Sequence, residues 1–80
     1  MNAPSLRVLC VDDNAAVREA LALTLSRAEG VRCVGCLSSA DGLIEAAERE
    51  QPVVVVMDLD MPGPEPFRAI RELRDRLPGW

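Results

Sequence analysis

Val53-Val54-Val55-Val56-Met57-Asp58-Leu59-Asp60 is the stretch on which the reading of this chain turns. Five apolar side chains in a row, four of them β-branched, favour a strand. Apolar residues at both odd and even positions give that strand two greasy faces, the pattern of a parallel strand covered by helices on both sides. Pro52 breaks the chain before the run, and carboxylates close it. Working outward, a second run of this kind, Leu6 to Val11, is interrupted only by Arg7 and ends in Asp12-Asp13-Asn14. From Ala15 to about Ala28, Val17, Ala20, Leu21, Thr24, Leu25 and Ala28 fall on one helical stripe. Asn14 suits its N-cap and Gly30 its stop. Val31 to Leu37 reads as another strand, and Ser38 or Ser39 can cap a helix running to about Arg49, with Leu43, Ile44 and Ala47 facing inward. After Asp60 comes a proline-rich loop, Met61-Pro62-Gly63-Pro64. A third helix follows, with Pro66 in its first turn, Phe67, Ile70, Leu73 and Leu77 on its inner face, and Pro78-Gly79 as its end. The order β-α-β-α-β-α calls for an α/β fold with a parallel sheet and right-handed crossovers.

Eighty residues, 49% of them apolar, make one small domain with a real core. The net charge is −4, the cationic side chains are all arginine, and there is no histidine. No basic patch is present to follow a phosphate backbone, so direct nucleic-acid binding is not expected. No stretch has signal-peptide or membrane-spanning length, and a cytoplasmic protein is the expectation. Cys10, Cys33 and Cys36 are an odd set, which suits reduced thiols. Cys33-x-x-Cys36 invites a metal or redox reading, but an odd offset in a regular strand points the two to opposite faces. No histidine can complete a zinc site either, so all three read as small buried hydrophobes.

The aspartates carry the chemistry. In open parallel sheets, ligands bind just outside the carboxyl ends of the strands. If the strands that end in Asp12-Asp13 and in Asp58 are neighbours, the three carboxylates converge on one spot. Groups of like charge so close repel one another unless a cation sits among them. An all-oxygen donor set suits Mg²⁺, and an aspartate beside it is a potential nucleophile. A single aspartate after a strand is more often a turn residue or a cap. A pair at one strand end and a third at another, each after an apolar run, exceed that ordinary use. Asp41 and Asp75 lie in helical stretches and read as solvated.

Leu6 to Asn14 resembles the opening of a response-regulator receiver domain, where an acidic pair follows the first strand, and Val53 to Gly63 resembles its phosphorylation loop. The helix-strand-helix between them also fits. The resemblance covers essentially the whole chain and implies a flavodoxin-like doubly wound parallel sheet, here cut to three strands in the order 2-1-3 with three helices, so that residues 1–80 make a partial receiver domain. It implies that Asp58 accepts a phosphoryl group from the histidine of a sensor kinase. It implies further that Asp13 and Asp58, with the backbone carbonyl of Asp60, hold Mg²⁺, with Asp12 acting mostly through bound water.

The family's domain is longer by two strand-helix units, which normally bring a Ser or Thr and a Lys to the site and hold much of the switch. This chain contains no lysine. Cut in this way, the sheet would leave Val53 to Met57 as an apolar edge strand, from which we expect pairing into a homo-oligomer. Two alternatives share the same residues. One is a receiver remnant that binds partners without being phosphorylated. The other is a phosphatase similar to the haloacid-dehalogenase type, with Asp58 as nucleophile and Asp60 as acid/base, although that reading gives Asp12 and Asp13 no role.

Overall fold

The computed structural model describes residues 5–61, 65–77 and 79–80. Its elements follow the expected order. They are β1 (Leu6–Val11), α1 (Ala15–Arg27), β2 (Val31–Leu37), a 3-10 turn (Ala40–Gly42), α2 (Leu43–Glu50), β3 (Val54–Met57) and α3 (Glu65–Arg76). The loop prolines Pro62 and Pro64, with Gly63, and the helix-ending Pro78 lie outside the described residues. β1 pairs in parallel with both neighbours, so the strand order is β2-β1-β3, as the resemblance implies.

Local chemistry accounts for the boundaries. The Asn14 side chain accepts from the Val17 N–H at 3.1 Å and starts α1. Gly30, at φ +78°, reverses the chain into β2 after the helix ends. Ser39 accepts from the Asp41 N–H at 3.3 Å and caps the 3-10 turn that leads into α2. α2 stops at Gln51, whose left-handed φ of 49° serves as the C-cap, and buried Pro52 follows. Arg7, the charged interruption of the first apolar run, donates from Nε to the Glu50 carbonyl at 2.8 Å and from Nη2 to the Glu50 carboxylate at 3.3 Å. It therefore fastens the end of α2 to the start of the central strand.

The core lies on one side of the sheet. Leu9 and Val11 pack there with Ala40, Leu43, Ala46 and Met61, while Val55, Met57 and Ala69 close its margin. Three expectations change. β3 was expected to be covered on both faces, but Val54 and Val56 are 41% and 39% exposed. Its other face is covered by the core, whereas α1 packs over β1 and β2. The inward stripe of α1 is correspondingly shallow: Leu21 and Leu25 are half-buried, whereas Val17, Ala20 and Thr24 are exposed, as is Ala28 just past the helix. In α3 the buried residues are Pro66 and Leu73, with Ala69 against the core and Leu77 half-buried, while Phe67 is 59% exposed. That helix contacts α2 and the 3-10 turn, so a narrow stripe is covered. Ile70 and Trp80 instead line an apolar cleft of about 290 Å³ with Leu43, Val55, Met57 and Leu73, beside β3.

The remaining difference is in β2. Val8 pairs with Cys33, but Leu9 pairs with Gly35, so the register shifts by one residue at Val34. A bulge of this kind sets two residues against one and changes which face later side chains take. Val34 packs against the core, and Cys33 and Cys36 end on the same face instead of opposite ones. Gly35 is tightly placed at this point, because a Cβ there would stand 3.0 Å from Cδ1 of the fully buried Leu9. Gly35→Ala should therefore lower stability by about 1–3 kcal/mol through overpacking. Gly42→Ala, where a Cβ meets nothing within 4 Å, should be neutral or mildly stabilising. Urea midpoints of the two variants against the parent check this, and equal midpoints would remove the steric role given to Gly35.

Candidate functional site

Parallel neighbours end at the same edge of a sheet. Val11 is in register with Met57, so the residues that follow, Asp12 and Asp58, leave the sheet side by side. The ladder extends one step beyond the strands: the Asp58 N–H donates to the Val11 carbonyl at 2.9 Å, and the Asp12 N–H to the Leu37 carbonyl at 3.0 Å. Asp12, Asp13 and Asp58 each present a carboxylate oxygen within 4.8 Å of the others. Asp12 is buried, Asp58 half-buried and Asp13 exposed, so the cluster opens to solvent on one side.

The two strand ends use the same turn. Asp12 Oδ1 accepts from the Asn14 N–H at 2.9 Å, and Asp58 Oδ1 accepts from the Asp60 N–H at 2.9 Å. A carboxylate bonded to its own backbone two residues on is a self-made turn, and it fixes the side chain relative to the strand end. Arg18 braces the first turn from α1, donating from Nη1 to the Asp12 carbonyl at 2.8 Å. Asp60 contributes its N–H to this arrangement, while its exposed carboxylate is not one of the clustered groups. Beside Asp13 a cleft of about 170 Å³ is lined by Ser38, Ser39, Ala40, Asp41 and Met61.

Charge balance decides what the arrangement can do. Among the described residues the ion pairs are Arg7–Glu50, Arg49–Glu50 and Arg76–Glu72, and none reaches the three aspartates. Arg18 is spent on a carbonyl, not on a carboxylate. A cluster of hard, anionic oxygens without a protein cation fits Mg²⁺, which prefers such donors and keeps waters in its remaining positions. The sequence pattern found these three acids. It did not single out Arg18.

The chain matches the response regulator receiver domain over residues 8–79, and it belongs to that family. It is 34% identical over 96% of its length to a protein-glutamate methylesterase/protein-glutamine glutaminase of Anaeromyxobacter dehalogenans, covering 21% of that protein. It is 39% identical over 90% of its length to another protein of that description from Cereibacter sphaeroides, covering 20% of it. To the response regulator GacA of Pseudomonas viridiflava it is 37% identical over 85% of its length, covering 32% of that protein. The chain thus spans about a fifth to a third of these relatives, and the esterase and glutaminase names describe those whole proteins. Receiver domains are non-enzymatic modules of two-component signalling that generally bind Mg²⁺ and interact with histidine kinases. The match favours the receiver over the haloacid-dehalogenase alternative. Among the described residues no helix is long and apolar enough to cross a membrane.

If repulsion among the acids is relieved by a cation, removing one charge should stabilise the metal-free chain. Two unit charges near 4 Å interact by about 1 kcal/mol in water, and for a domain of this size that corresponds to a melting shift of about 4–8 °C. Asp13→Asn is expected to melt above the parent by up to that amount without Mg²⁺, and millimolar Mg²⁺ should raise the parent but not the variant. A gap that Mg²⁺ does not narrow would show that the ion is held elsewhere.

Proposed function

We propose that the chain, as a partial receiver domain, is a phosphoacceptor in which Asp58 takes a phosphoryl group from the phosphohistidine of a sensor kinase. Mg²⁺ would be held by Asp12, Asp13, Asp58 and the backbone carbonyl of Asp60. The observation that supports this most strongly is the convergence of the three carboxylates within 4.8 Å at neighbouring strand ends, with no protein cation among the described residues to neutralise them. The Asp60 N–H occupies Asp58 Oδ1, which leaves Oδ2 to attack phosphorus. The new O–P bond forms as the P–N bond of the phosphohistidine breaks, and its electron pair stays on the imidazole nitrogen. The product is an aspartyl phosphate. A bound divalent ion supplies neutralisation of charge on the phosphoryl oxygens. Asp12 is positioned to steady the site from beneath, since its burial and its hydrogen bond to Asn14 hold it in place.

The net charge of −4 disfavours direct nucleic-acid contact, and a cytoplasmic location suits a partner of the kinase. β3 is a sheet edge, and its Val54 and Val56 are exposed. An apolar edge of this kind favours pairing with a second copy. Static light scattering is expected to give a dimer or larger species for the parent and a monomer for Val56→Lys, which puts a charge on the edge. A parent that stays monomeric over a hundredfold range of concentration would sink the pairing.

Intact-mass spectrometry after incubation with Mg²⁺ and acetyl phosphate tests the acceptor role. A gain of one phosphate that requires Mg²⁺ and disappears in Asp58→Asn is expected. No gain in a folded sample would leave a module that acts by contact without accepting phosphate.

A further inference from the structure

β1 and β2 bring three thiols to one point on the sheet face that α1 covers. The bulge at Val34 turns Cys33 and Cys36 to the same side, and their sulfurs stand 3.6 Å apart. Cys10 is the β1 partner of Cys36 in the ladder. The Sγ atoms of all three lie within 4.8 Å of one another, and all three cysteines are free. Two thiolates on a tetrahedral zinc-type ion, each at about 2.3 Å, are separated by about 3.8 Å. A disulfide would need about 2.05 Å. The observed spacing, that of a thiol–thiol contact, lets both sulfurs bind one ion with little movement.

The surroundings suit an ion that enters from solvent. Cys10 is buried and closes the site on the inside, Cys33 is half-buried, and Cys36 is exposed. Cys33 and Cys36 line an open hollow of about 520 Å³ whose other walls include the small side chains of Ala22 and Ser26. The Arg18 carbonyl stands 4.0 Å from Cys36 Sγ.

We propose that Cys10, Cys33 and Cys36 form a second metal site, which takes one thiophilic divalent ion of the zinc and cadmium type through three thiolates and leaves the outward position to water. Each S–H proton passes to solvent as its sulfur–metal bond forms, and nothing is oxidised or reduced. Soft sulfur donors and the hard oxygens of Asp12, Asp13 and Asp58 select different ions. This site therefore stands or falls independently of the phosphoacceptor reading.

The test is titration of the reduced full chain with Cd²⁺, and separately Zn²⁺, in excess Mg²⁺. Uptake is counted by native mass spectrometry, and the ultraviolet thiolate-to-cadmium charge-transfer band is followed. One ion per chain with that band is expected. Cys36→Ser, at an exposed position where folding is safe, should weaken binding at least about tenfold, as should Cys33→Ser, while Asp13→Asn should leave it unchanged. Three results would overturn the proposal: no uptake by the folded, reduced chain, uptake unaffected by Cys36→Ser, or uptake lost in Asp13→Asn. Closure of Cys33 and Cys36 to a disulfide in the presence of equimolar Zn²⁺ would overturn it as well.

Discussion

β1 is the strand on which everything else depends, because it alone has a hydrogen-bonded neighbour on each side. Val8, Leu9, Cys10 and Val11 are all buried, so both of its faces are committed to packing. Leu9 and Val11 anchor the core beneath α2, and Cys10 faces α1. An element so constrained cannot slide, and a one-residue slip would exchange the two faces. That rigidity is what lets its last residue hand a buried carboxylate to the sheet edge. Asp12 is the one buried charged residue among those described, and it stays there because Asn14 and Arg18 engage it on either side of the turn.

Much of this was legible in the residues because it rests on short-range rules. Apolar runs ending in acid located β1 and β3, and Asn14 and Gly30 marked the limits of α1. The strand order came with the resemblance to receiver domains, and the structure has the same order. What failed was information that depends on neighbours. A period of two assigns Cys33 and Cys36 to opposite faces, and nothing in Val31 to Leu37 announces that Val34 will be passed over in the pairing. The only sign is Gly35, and its purpose emerges from the position of Leu9 Cδ1, 26 residues earlier in the chain (35 − 9). The inner face of α3 failed for a similar reason. Phe67, Ile70 and Leu73 belong to one apolar helical stripe, but α3 contacts α2 and the 3-10 turn. Of the three only Leu73 is buried, with Pro66 buried and Ala69 against the core.

The two faces of the sheet are unequal in consequence. On the α2 and α3 side, fully buried Leu9, Val11 and Leu43 form a packed layer. On the α1 side no helical residue is buried, and Val54 and Val56 stand open beside Cys10. Burial of apolar surface contributes roughly 25 cal/mol per Å², so most of the hydrophobic stabilisation comes from the first side. The thiols occupy the second side, while Val34 and Leu37 of the bulged strand pack against the core on the first.

Arg18 joins the acidic edge to the sulfur cluster. Its guanidinium holds the Asp12 carbonyl, while its own carbonyl lies within reach of the Cys36 thiol. Along β1 the same alternation that buries Cys10 against α1 carries the chain, two residues later, into Asp12 at the sheet edge. Hard oxygen donors and soft sulfur donors are therefore separated by two residues along one rigid strand. Because β1 cannot shift without breaking its packing on both faces, that strand fixes the spacing between the two clusters.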